Sequence, residues 1–147
     1  MNRVIEIKPA GTFGSPADRV VLDADDRQRR RIVLTGEKGT RLLIDFPKPV
    51  TLHDGDGLVL DDGTIVVVAG QSEQLIEIGA KAPLDFVRLA WHIGNRHSDI
   101  QFTDKHFRIR RDHVLEEMLQ GLGATITPLE APFDPEPAAP HNHSHGE

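Results

Sequence analysis

The amino-acid sequence predicts an α+β protein: an N-terminal all-β domain over residues 1–72, a ferredoxin-like βαββαβ domain over 73–130, and a disordered, histidine-containing tail over 131–147. Three observations predict it. The first seventy residues hold only short runs rich in Val, Ile and Leu, broken by Gly, Pro or Asp, with no helical periodicity between them. From Glu73 the elements follow the order β-α-β-β-α-β. After Leu129 the chain becomes proline-rich, with little apolar surface to bury.

Taken in order, RVIEIK (3–8), RVVLD (19–23), RRIVLTG (30–36), RLLIDF (41–46) and GTIVVVAG (63–70) read as strands. LVLDDGTIVVV (58–68) is the clearest hairpin, because Asp61, Asp62 and Gly63 tolerate the positive φ that a tight turn demands. QLIEIG (74–79) is the next strand, and Pro83 then opens a helix through Ile93, proline being suited to the first helical position. DIQF (99–102) and HFRIR (106–110) follow as short strands. Asp112 caps a second helix whose Val114, Leu115, Met118, Leu119 and Leu122 share one face, and Gly121 and Gly123 end it. ATITPL (124–129) closes the unit as a last strand. The tail, at about 3.1 Å per residue if extended, lets the terminal histidines reach roughly 34 Å from Glu130.

Composition narrows the function. The chain has no cysteine, so any metal must be held by nitrogen and oxygen. A net charge of -6 argues against a nucleic-acid partner, and RQRRR (27–31), the one basic run, reads as a solvated strand edge. MNRVIEIK at the start lacks the pattern of a signal peptide, and no run approaches the roughly 20 apolar residues of a membrane span, so no membrane role and a cytoplasmic location are expected. No phosphate loop, GxSxG or HExxH motif occurs, and HDGDG (53–57) reads as a turn because it lacks the later acidic ligands of a calcium loop. The protein is expected not to be an enzyme.

The histidines carry the remaining signal. In the first helix Asp85, Arg88 and His92 form a polar stripe between two apolar flanks, one of Phe86, Leu89, Ala90 and Ile93 and one of Leu84, Val87 and Trp91. His92 reads as a surface residue. Two apolar flanks imply packing on the sheet and on a second surface, such as a subunit partner, and a symmetric homodimer there would bring two copies of His97 together. His113, in the first turn of the second helix, reads equally as a ligand or as a surface residue near a cap. His53 and His106 read as structural. His141, His143 and His145 alternate in HNHSH, a spacing that chelates Ni, Cu or Zn; an expression-tag remnant is the alternative reading.

LAWHIGNRH (89–97), the strand pair after it, RDHVLEEMLQGLGA (111–124), APFDPE (131–136) and the histidine-bearing end resemble the E-type urease accessory protein (UreE) family. LHDGDGLVLDDGTIVVVAG (52–70) resembles the end of that family's N-terminal domain. The resemblance implies an all-β peptide-binding-like domain, a ferredoxin-like metal-binding domain and a homodimer formed through the latter. It implies Ni(II) as cargo, with Zn(II) or Cu(II) accepted in vitro. His97 matches the family's interfacial nickel ligand, and the tail histidines match its auxiliary ligands. The implied partners are the G-type urease accessory GTPase and the urease apoprotein with other accessory proteins. Where some members read HDH this chain has Arg111-Asp112-His113, which removes one accessory ligand, and Trp91 stands where Tyr is frequent. A protein- or peptide-binding adaptor with incidental histidines is the alternative function.

Overall fold

The computed structural model describes residues 1–137. Strands β1 (Asn2–Lys8), β2 (Asp18–Leu22), β3 (Gln28–Thr35), β4 (Arg41–Thr51), β5 (Gly57–Leu60) and β6 (Ile65–Gly70) form a six-stranded sheet in the order β2-β6-β5-β1-β4-β3. Alternation of apolar and polar residues sets its inner face: along β2, Asp18, Val20 and Leu22 are buried while Arg19 and Val21 face outward. Leu42, Ile44, Leu58, Leu60, Val66 and Val68 join Val20 and Leu22 in one core. The expected hairpin is present, with Gly63 at φ 89° and Asp62 Oδ1 accepting from both the N–H and the hydroxyl of Thr64.

Strand β4 runs further than expected, through Pro47 and Pro49. The prolines are accommodated because the β3–β4 ladder is interrupted between Asp45 and Val50, opposite Arg30, so neither has to donate to it. Buried Asp18 is satisfied by the backbone N–H groups of Arg19, Lys38 and Thr40. Gly36 must lack a side chain there, since a Cβ would stand 2.2 Å from the Asp18 carboxylate.

The second unit follows the expected order: β7 (Ser72–Gly79), α1 (Pro83–Asn95), β8 (Gln101–Phe102), β9 (Phe107–Arg110), α2 (His113–Gly121) and β10 (Thr125–Pro132). Its sheet order is β10-β7-β9-β8 with every pair antiparallel, the split β-α-β arrangement of the ferredoxin-like fold. Both helices cover one face, where Leu89, Ile93, Leu115 and Leu119 pack on Ile76, Ile78, Phe107 and Ile109. No helix among the described residues is long and apolar enough to cross a membrane.

Two differences from expectation concern how the units join. Arg27, grouped in the sequence with a solvated basic run, is 1% exposed, whereas Arg29, Arg30 and Arg31 do face solvent. Its guanidinium donates to the carbonyls of Leu22, Leu52 and Phe133 and pairs with Asp134. The chain after Leu129, expected as tail, stays seated through Glu136. Strand β10 continues to Pro132, and Phe133 is fully buried against Ala24 and Leu75 beneath the guanidinium of Arg110. The Asp134 N–H donates to Gln101 Oε1 at 3.0 Å and the Glu136 N–H to the Ile100 carbonyl at 2.7 Å. One large aromatic suffices to anchor a segment whose composition is otherwise poor in apolar surface. His141, His143 and His145 lie outside the described residues.

Candidate metal centre

Helix α1, expected to end at Ile93, continues through Gly94 and Asn95. It ends in a Schellman closure: the His97 N–H donates to the Gly94 carbonyl at 3.0 Å, and the Ser98 N–H to that of Ile93 at 3.4 Å. This closure puts the residue after the C-cap in the left-handed region, where glycine is usual. Here the residue is His97, at φ 58°, and among the described residues it alone other than glycine has positive φ. A Cβ in that region costs about 1–2 kcal/mol relative to the right-handed conformation. The imidazole is exposed, so the fold holds a titratable side chain outward at a helix end where a smaller residue would be less strained.

The helix leading to it presents an uncovered apolar stripe. Leu84, Val87 and Trp91 are 57%, 61% and 63% exposed, and Gly94 continues their spacing with open space where a Cβ would be. The stripe therefore runs directly toward His97.

His113 is the first residue of α2, with its side chain 94% exposed and Nε2 3.8 Å from Glu117 Oε1. The start of α2 is firmly built. Asp112 Oδ1 accepts from the Leu115 N–H at 2.9 Å, while the Asp112 N–H donates to Glu116 Oε2 at 3.1 Å. The hydrogen bond from Arg111 holds the Glu116 carboxyl below its ordinary range and raises the guanidinium in return. An open groove lined by Arg96, Ser98, Asp112, Val114 and Leu115 links the two helix ends, so the chain neighbours of both His97 and His113 border it.

The other histidines separate by their surroundings. His92 is half-buried with its ring edge-on to Trp91, and His106 packs over Gly79, where a Cβ would meet its ring at 2.9 Å. His53 occupies the turn after β4, as HDGDG suggested, but it also faces the carboxylate of Asp134. Among the described residues no three His, Asp or Glu side chains come together as a metal cluster.

Residues 4–70 match the family model described as UreE urease accessory protein, N-terminal domain, and residues 73–147 match the C-terminal domain of the same family. The chain belongs to the UreE family. The UreE domain matches divide between the end of β6 and the start of β7, where the two sheets divide, and the C-terminal match extends over the histidines of the tail. The chain is 52% identical over 134 residues to a urease accessory protein UreE of Rhodopseudomonas palustris strain BisB18, covering 88% of this chain and 64% of that protein. A UreE of Bradyrhizobium sp. strain ORS 278 is 51% identical over 132 residues, with 88% and 63% covered. A UreE of Rhizobium rhizogenes strain K84 is 43% identical over 144 residues, with 97% and 86% covered. The chain thus spans a little under two thirds of the length of the first two relatives.

Proposed function

We propose that this UreE-family chain is a carrier, not an enzyme, that binds Ni(II) as cargo and delivers it for assembly of the urease active site. The observation that carries this reading is His97, held outward in a left-handed conformation at the end of an uncovered apolar helix face. A second copy packed on Leu84, Val87 and Trp91 makes a homodimer and places two such imidazoles near one axis. Two nitrogens are too few for nickel, which favours square-planar or octahedral surroundings, and His141, His143 and His145 supply more. The pinned segment before them supports this role. Glu136 is bonded to Ile100, three residues after His97 in sequence, so the tail begins close to the site it serves.

His113, across the groove from the end of α1, is an accessory ligand in this reading. Imidazole donors also accept Zn(II) or Cu(II) in vitro. The partners are the G-type urease accessory GTPase and the urease apoprotein with its other accessory proteins, and the site of action is the cytoplasm. Calorimetric nickel titration with native mass measurement tests the reading. His97→Ala should lose the tightest nickel step, while replacing the three tail histidines by alanine should lower affinity or stoichiometry and leave a weaker site. Nickel binding by His97→Ala equal to that of the parent would overturn it.

A further inference from the structure

We propose that residues 133–136 are a strap that fastens the two units together and lifts while both stay folded, freeing the six-stranded sheet to swing about Gly70-Gln71. The proposal goes beyond the carrier function and depends on no metal ligand.

The seam between the units is separate from either core. Ala24, in the turn between β2 and β3, meets Leu75 of β7 and Phe133 in a small apolar cluster of its own. One residue, Gln71, joins β6 to β7, and its N–H donates to the Leu22 carbonyl at 2.7 Å. Gly70 beside it lies against Pro132, where a Cβ would stand 2.6 Å from the ring. A glycine and one connecting residue can absorb the backbone change of a hinge. Outside the strap, the Ala24 N–H donates across the seam to Glu73 Oε2 at 3.2 Å, and Arg110 pairs with the exposed Asp25 at 3.2 Å. Such an exposed pair contributes little. Units of one chain joined by so few groups ordinarily move relative to each other unless something fastens them.

The strap supplies the fastening. Phe133 is fully buried against Ala24, with the Arg110 guanidinium 5.0 Å from the centre of its ring. Its carbonyl and the Asp134 carboxylate together hold the guanidinium of Arg27, whose side chain is 2% exposed. Arg27 belongs to the first unit, so these bonds cross the seam. On the side of the second unit the strap lies beyond the end of β10. The Asp134 N–H donates there to Gln101 Oε1 and the Glu136 N–H to the Ile100 carbonyl. Pro132, Pro135 and Pro137 restrict its backbone, so it seats and lifts as one stiff piece. Once it lifts, Arg27 and Asp134 both regain water, and neither remains as a buried unpaired charge. Opening then exposes one aromatic ring and the buried Pro135 but leaves both cores intact. Segments with few ladder hydrogen bonds and few buried contacts are the ones that open below global unfolding. Ile100 lies three residues after His97, so the strap also ties the first unit to the segment that leaves α1.

The test uses the full chain, which has no cysteine, so one introduced thiol reports one place. Ala24→Cys reports the seam beneath Phe133, while Val66→Cys and Ile78→Cys report the two cores. In native buffer iodoacetamide should alkylate the thiol at 24 at least about tenfold faster than either core thiol. Adding Phe133→Ala should speed alkylation at 24 about tenfold further, leave both core rates unchanged, and enlarge the radius of gyration in small-angle scattering at the same oligomeric mass. Asp134→Asn, which keeps the aromatic anchor, should act in the same direction more weakly and carries the comparison if Phe133→Ala does not fold. Equal rates at the three positions, a strap substitution that speeds all three together, or an unchanged radius of gyration would each overturn the proposal. Nickel binding enters none of these readouts, so failure of the carrier function leaves this result standing.

Discussion

Along one flank of α1, Phe86, Leu89, Ala90 and Ile93 pack on the four-stranded sheet, with Leu89 and Ile93 almost fully buried. Along the other, Leu84, Val87 and Trp91 are of similar apolar character and stand mostly in solvent. The six-stranded sheet shows no such division, since its exposed apolar residues Ile5, Val21 and Val33 come from three different strands. Periodicity in a sequence therefore identifies a side chain that prefers cover without saying what covers it. A continuous stripe left open on a rigid helix is the signature of association, whereas scattered apolar residues are ordinary surface.

Substitutions on α1 test this contrast directly. The largest effect belongs to Ile93→Asp, which puts an unpaired carboxylate into a core with no partner for it. Loss of about 4 kcal/mol or more is expected, visible as the α1 unit failing to fold by circular dichroism. Trp91→Asp sits two residues away on the open flank. The monomer should keep its stability to within about 0.5 kcal/mol, while self-association measured by sedimentation weakens at least about tenfold. A folded Trp91→Asp protein that associates like the parent would remove α1 from the interface. The smallest effect is at the helix end. His97→Gly relieves the left-handed strain and should raise stability by about 1 kcal/mol in denaturant titration while abolishing the tightest nickel step. Unchanged or lower stability would mean that the conformation is not strained.

The order and type of elements were legible because each is specified locally. Pro83 opens α1, Asp112 caps α2, and the Asp61-Asp62-Gly63 turn joins β5 to β6. What was not legible depends on partners far away in sequence. Arg27 is buried by carbonyls and a carboxylate as many as 107 positions distant, so nothing around it distinguishes it from the exposed arginines that follow. The seat of Phe133 is likewise made by residues of both units. At the candidate site, the position of His97 just past the helix was readable but its left-handed backbone was not, because glycine or asparagine normally announces that conformation. Gly94, which lay beyond the expected helix end at Ile93, is an ordinary helical residue.

Strand β3 forms one outer rim of the six-stranded sheet. It carries Arg29, Arg30 and Arg31 in succession, and its pairing with β4 is already interrupted at Arg30, opposite a segment holding Pro47 and Pro49. A strand from another molecule approaching this rim would meet three long charged side chains, ion-paired with Asp26 and Asp45, and an irregular backbone, a poor template for further hydrogen bonding. Such a rim disfavours growth of the sheet chain by chain into fibrils.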